Sequence, residues 1–169
     1  MVLGLVGRTL PSLKLESAAG PVDLADLGRN LLVLFVYPHA TGLGGAPVPG
    51  WDAIPGARGC TAESCGFRDR QAAFEAVGAT ICGLSVQRVE EQRAFAARVG
   101  IGYRLISDPD RRLASMLGLP TFTAHGRTFY RRLTLVTDAG RIKKVFYPIH
   151  LPGEHASEVL AWLEQRPRA

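Results

Sequence analysis

Two cysteines stand five positions apart in PGARGCTAESCGFRDR, residues 55–70, and the chain has only one more, Cys82. A thiol pair at this distance can react, hold a metal, or sit buried as two small apolar side chains. Metal binding is the weakest of the three. C-x4-C lacks a second pair, and His39, His125, His150 and His155 form no ligand-spaced cluster. Cys60 follows a Gly/Pro-rich loop and precedes Phe67, Phe74 and Val77, whose spacing predicts a helix over 61–77. That places Cys60 at a helix start, where free backbone N–H groups and the positive end of the dipole favour a thiolate. Arg58 adds positive charge nearby. Cys60 is therefore a candidate nucleophile.

Cys65 poses a geometric problem. In an intact helix, residues five apart differ by about 7.5 Å in rise. A disulfide needs Cα atoms roughly 4.4–6.8 Å apart. The two sulfurs can join only if the first turns open. Gly66 is placed to weaken them, since glycine inside a helix costs about 1 kcal/mol relative to alanine. A two-stage reaction fits this pattern: Cys60 is oxidised to a sulfenic acid, then Cys65 condenses with it. Cys82, in the apolar run ATICGLSV, reads as a buried strand thiol.

The elements that must hold these residues follow from periodicity. NLLVLFVYP, 30–38, is a continuous apolar run ended by proline, as in a central strand buried on both faces. Residues 39–59 are a long loop rich in glycine and proline; loops of that length inside a compact domain are more often functional than accidental. A strand is expected at 79–86, an amphipathic helix at 88–100 ending on glycine, and a strand at 103–108 followed by a short helix. Residues 129–149 read as a hairpin turning at Asp138–Gly140, and 153–165 as a closing helix. LPSLKLE near the start reads as a short strand. The alternation predicts an α/β fold, a central mixed sheet flanked by helices, and that order is compatible with a thioredoxin-like fold.

Composition limits the partners. The chain has 169 residues, 47% hydrophobic and 21% charged, with net charge +5. Its arginines are scattered without a basic stripe and interleaved aromatics, so no nucleic-acid partner is expected. No apolar run reaches membrane-spanning length, and no signal peptide is read, which gives the expectation of a cytoplasmic protein without a membrane partner. An odd, low cysteine count argues against a disulfide-built scaffold.

With those residues in view, FVYP…GCTAESCGFRD resembles the active-site region of the Q-type (bacterioferritin-comigratory) peroxiredoxins. GLSVQRVEEQRAFAARVGIGYRLISDPDRRLASMLGL and RRLTLVTDAGRIKKVFY resemble their later segments, and the likeness runs from about residue 5 to residue 165. The resemblance implies one peroxiredoxin domain over 1–169 and a thiol peroxidase acting on hydrogen peroxide and organic hydroperoxides. It makes Cys60 the peroxidatic cysteine and Cys65 the resolving one, joined in an intramolecular disulfide that a thioredoxin-type reductant recycles. Arg132 matches the arginine that stabilises the thiolate and orients the peroxide, and Pro38 the proline of the active-site loop. Glu63 falls where the family often has an acid or amide, although a first-turn carboxylate also suits the helix dipole with no further role. Neither cofactor nor metal is implied, and a monomer suffices because both thiols share one helix.

The chain departs from the pattern in one place. The family carries Thr or Ser three residues before the peroxidatic cysteine; Ala57 stands there, after an insertion of about residues 42–57. Thr41 is the nearest hydroxyl that a looped-out insertion would return to the site. A thiol–disulfide oxidoreductase of the same fold is disfavoured, because C-x-x-C is absent and no proline occurs between Pro120 and Pro148. A redox-sensing module that passes its disulfide to a partner protein is the remaining alternative.

Overall fold

The computed structural model describes residues 2–41 and 48–167. Along the chain come β1 (Lys14–Ser17), β2 (Val22–Asp23), α1 (Leu24–Leu27), β3 (Leu32–Val36), α2 (Cys60–Asp69), α3 (Gln71–Ala76), β4 (Thr80–Ser85), α4 (Val89–Val99), β5 (Arg104–Ser107), α5 (Arg112–Leu117), β6 (Thr121–Ala124), β7 (Arg127–Tyr130), β8 (Leu133–Asp138), β9 (Arg141–Phe146) and α6 (His155–Gln165). Seven strands form one mixed sheet in the order β2-β1-β5-β4-β3-β8-β9, and β6 and β7 form a separate hairpin. This is the thioredoxin-like arrangement of a central sheet with helices on both faces.

The apolar run of β3 is an interior strand, with β4 on one side and β8 on the other. It pairs parallel with β4 and antiparallel with β8, and all five of its residues are buried. Alternation then divides the core. Leu32, Leu34 and Val36 join Leu113, Leu117 and Phe129 on one face, with α5 and the small hairpin. Val33, Phe35 and Tyr37 join Phe67, Phe95 and Val159 on the other, beneath α2, α4 and α6. Burying each large side chain contributes about 1.5–3 kcal/mol, and the rings of Phe35 and Phe67 stack with centroids 4.5 Å apart.

Register sets up the site. Val36 is opposite Leu133 in the antiparallel β3–β8 pair. The residue after Val36 and the residue before Leu133 therefore lie side by side at the same end of the sheet. Tyr37, Pro38 and His39 leave β3 there, and Arg132 enters β8 there.

Two elements differ from the sequence expectation. The helix expected over 61–77 is broken at Arg70, whose φ of −112° and ψ of 12° leave the helical region and separate α2 from α3. The break redirects the chain so that Phe74 still reaches Phe67, with ring centroids at 5.5 Å. The β6–β7 hairpin was not expected. Its turn has positive φ at both His125 (51°) and Gly126 (72°), the conformation that a two-residue hairpin turn requires, but its strands are too polar to stand out by alternation.

Candidate active site

The chain enters α2 through Gly59, at φ 107°, in the left-handed region. A Cβ at this position would lie 2.8 Å from Cγ of Pro152, so only glycine fits both the turn and the neighbour. Cys60 is the first residue of α2, and no side chain caps the helix start. The position expected of the nucleophile is thus met: a sulfur at the N-terminus of a ten-residue helix.

Four groups surround that sulfur. Arg132 Nη2 lies 3.3 Å from Cys60 Sγ. The Ala57 carbonyl accepts from the thiol at 3.6 Å. The backbone N–H of His39, just after the turn at Pro38, favours the ionised form of the sulfur. Glu63, one turn along α2, is completely buried and accepts from Arg132 Nη1 at 2.8 Å. Arg132 is itself only 4% exposed, and its Nη2 also faces the carbonyls of Ala57 and Arg58, each at 3.1 Å. Glu63 thus bonds one nitrogen of the guanidinium whose other nitrogen reaches the sulfur.

Opposing influences meet at this sulfur. The sequence pointed to a thiol acidified by its helix. Here burial pushes the Cys60 thiol above its ordinary value, the Arg132 guanidinium opposes that, and the neighbouring Glu63 charge adds to the rise. Burial likewise pushes Glu63 up to about 7 against the pull of Arg132. One buried cation thus serves two buried acids. Ionising either leaves less of the guanidinium for the other, so the two protons are coupled.

Cys60 opens onto a cavity of about 730 Å³ lined also by His39, Thr41, Val48, Trp51 and Arg58. Thr41 is thus brought to the wall of the same cavity, and its carbonyl accepts from Arg98 Nε at 2.7 Å. Pro38 is buried behind this wall. The expected insertion, 42–57, lies partly outside the described residues, which resume at Val48 with a 3-10 turn at Trp51–Ala53.

Cys65 stands apart from this group. It is half-buried, α2 is unbroken between the two cysteines, and all three thiols are free. Several contacts hold that helix closed. Tyr103 donates to the Ser64 carbonyl at 2.8 Å. Gly66, read from sequence as a weak point, sits against α6, where an added Cβ would meet Ala156 Cβ at 3.5 Å. Cys82 is buried in β4, and burial pushes its thiol up to about 12, which suits an inert core residue. Among the described residues no three His, Cys, Asp or Glu side chains gather as a metal site, and no helix is long and apolar enough to cross a membrane.

Sequence reasoning missed several participants. His39, weighed above only as a metal ligand, is 8% exposed and packs edge-on against Trp51 and Phe129. Its position beside Pro38 was the available signal. The β6–β7 hairpin supplies Phe122 and Phe129 as the wall behind Trp51. His155, completely inside the core, bonds Thr134 Oγ1 through Nε2 at 2.7 Å and packs on Phe67, tying α6 to β8 and α2. Burial holds its imidazole down at about 4, so it is neutral at pH 7.

Comparison with known proteins agrees with this geometry. The model of the AhpC/TSA family matches residues 53–145. Peroxiredoxin Q of Sedum lineare, a chloroplastic protein, is 28% identical over 162 residues, covering 94% of this chain and 77% of its own. Peroxiredoxin Bcp of Escherichia coli K12 is 26% identical over 164 residues, 94% of this chain and 95% of the relative. Among solved structures, peroxidoxin BcpB of Mycobacterium tuberculosis superposes with a TM-score of 0.77 at 29% identity, covering 96% of this chain and 98% of that one. A helix-start cysteine facing a buried arginine, on this sheet and with these relatives, makes the chain a member of the AhpC/TSA family and, within it, a thiol-dependent peroxidase of the Q-type (Bcp) peroxiredoxins.

Proposed function

We propose that Cys60 is the peroxidatic cysteine and Cys65 the resolving one in a single-chain cycle. The observation that carries this is the 3.3 Å approach of Arg132 Nη2 to Cys60 Sγ, with the guanidinium held by a buried carboxylate. Hydrogen peroxide or an organic hydroperoxide enters the cavity at Cys60. The thiolate attacks the near peroxide oxygen, the O–O bond breaks, and the far oxygen leaves as hydroxide or alkoxide and takes up a proton. Arg132 and the backbone N–H groups at the start of α2 are fixed donors for the charge that builds on the oxygens. Thr41, on the cavity wall, supplies the hydroxyl that Ala57 lacks, and Pro38 sets the turn that aims the His39 N–H.

The sulfenic acid at Cys60 then meets Cys65. The intact helix keeps the two Cα atoms farther apart than a disulfide permits, so the start of α2 must leave the Gly59–Pro152 contact and unwind. The Cys65 thiolate displaces water from the sulfenic sulfur and closes the disulfide. A thioredoxin-type dithiol restores both thiols by exchange. Both cysteines belong to one helix, which supports a monomer as the working unit, and the reducing cytoplasm as the compartment that sustains the cycle. No step requires a metal, a cofactor or nucleic acid.

Cys65→Ser tests the division of labour. Rapid-mixing kinetics are expected to show the first oxidation of Cys60 unchanged within about twofold, because Cys65 lies outside the group around the sulfur. Steady-state turnover driven by thioredoxin is expected to be lost. Normal cycling by the variant would hand resolution to Cys82 or to an external thiol.

A further inference from the structure

We propose that Trp51 is a positioning residue for the Cys60 sulfur, acting through the carbonyl of Ala57; the inference rests on Cys60 being the nucleophile. The indole Nε1 donates to the Ala57 oxygen at 3.1 Å. That oxygen also faces Arg132 Nη2 at 3.1 Å and accepts from the Cys60 thiol at 3.6 Å. One buried carbonyl therefore links the inserted loop, the guanidinium and the reacting sulfur. Ala57 is completely buried and has no side-chain donor of its own.

The donors to this oxygen behave differently when the sulfur ionises. The thiol loses its hydrogen. Arg132 Nη2 carries two hydrogens and faces four acceptors: Cys60 Sγ at 3.3 Å and the carbonyls of Gly56, Ala57 and Arg58 at 3.5, 3.1 and 3.1 Å. A thiolate draws one of the two, and three carbonyls share the other. A buried carbonyl left without a donor is costly. Trp51 is the donor to Ala57 that keeps its bond throughout. It thereby lowers the cost of the ionised state and leaves the guanidinium free to turn to sulfur.

The indole is well placed to do this. Its ring packs against Phe129 at 5.0 Å, Phe122 at 5.8 Å and His39 at 5.8 Å. Phe129 makes the shortest of these contacts and, with His39, holds the direction of Nε1 independently of Phe122.

Trp51→Phe keeps an aromatic ring and removes the donor; Phe122→Leu loosens the packing and keeps the donor. Thiolate absorbance and the rate of Cys60 oxidation would be followed against pH in both variants, with thermal melting as the check on folding. For Trp51→Phe the Cys60 titration is expected to move to higher pH. Oxidation at neutral pH should slow by about tenfold, the effect of one buried hydrogen bond, and approach the wild-type rate at alkaline pH, where the sulfur is fully ionised. Phe122→Leu is expected to leave the titration in place. An unshifted profile in Trp51→Phe, a loss equal at every pH, or the same shift in Phe122→Leu would each overturn the proposal. Turnover surviving in Cys60→Ser would overturn the parent reading instead; an inactive Cys60→Ser beside an unshifted Trp51→Phe would remove only Trp51.

Discussion

Cys60→Ser is expected to abolish peroxide turnover, by at least about a thousandfold, as loss of an essential nucleophile does. The argument is chemical before it is structural. A serine hydroxyl does not ionise near neutral pH, and oxygen is a poor nucleophile toward a peroxide bond. No equivalent of the sulfenic acid can form, so Cys65 has nothing to condense with. The substitution should not disturb the fold. Serine is close in size to cysteine, and its hydroxyl can donate to the Ala57 carbonyl that the thiol now faces at 3.6 Å. Assay of H2O2 consumption with a thioredoxin system, beside a melting curve, checks both halves. Residual turnover near the wild-type level would place the nucleophile at Cys65 or Cys82.

The second large effect belongs to Arg132. Arg132→Met keeps much of the apolar volume and removes the guanidinium that, among the described residues, bonds the Cys60 sulfur. The first oxidation at pH 7 is expected to slow by about a hundredfold or more, the order seen when a fixed donor to developing charge is removed. Its pH dependence should change as well. Burial already pushes the Cys60 thiol up, and Arg132 is what opposes it. Without the guanidinium the thiol titrates higher still, so the reaction recovers as pH rises. Glu63, already pushed up to about 7, also loses its opposing charge. It then stays protonated at pH 7, which avoids stranding a buried carboxylate. Arg132→Lys should fall between the two, because an ammonium keeps the charge but cannot bond Glu63 and the sulfur through separate nitrogens. A rate independent of residue 132 at every pH would remove it from the chemistry.

The central architecture could be read in the sequence where the physical signal was strong. β3 is five apolar residues with no polar interruption, short and stopped by Pro38, which suits a strand buried on both faces. α4 announced itself by its period and by Gly100, which ends it at φ 72°. The importance of Cys60 followed from its place between loop and helix. What the sequence concealed was mostly set by tertiary packing. The break at Arg70 leaves the apolar spacing across 61–77 intact, so periodicity alone runs through it. The hairpin of β6 and β7 is half polar and packs through only a few aromatic rings. His39 became a core residue because Trp51 and Phe129 cover it, and its place beside Pro38 is the single local hint of that.

The site was legible to a similar depth. Cys60, Glu63 and Arg132, 72 residues apart at the extremes, do meet, and Thr41 returns to the cavity at Cys60. The acidity of the thiol was not legible. Sequence exposes the favourable terms, a helix start and a basic neighbour, but burial of sulfur and carboxylate around one cation depends on the finished core. The role of the insertion was equally hidden, because its effect passes through the backbone oxygen of Ala57.

Peptide mapping by mass spectrometry, after one equivalent of H2O2 and with free thiols blocked, tests the account most directly. The account predicts one linked peptide joining Cys60 to Cys65, with Cys82 recovered as a blocked thiol. A Cys60–Cys82 link, or Cys60 oxidised to sulfinic acid while Cys65 remains reduced, would contradict it.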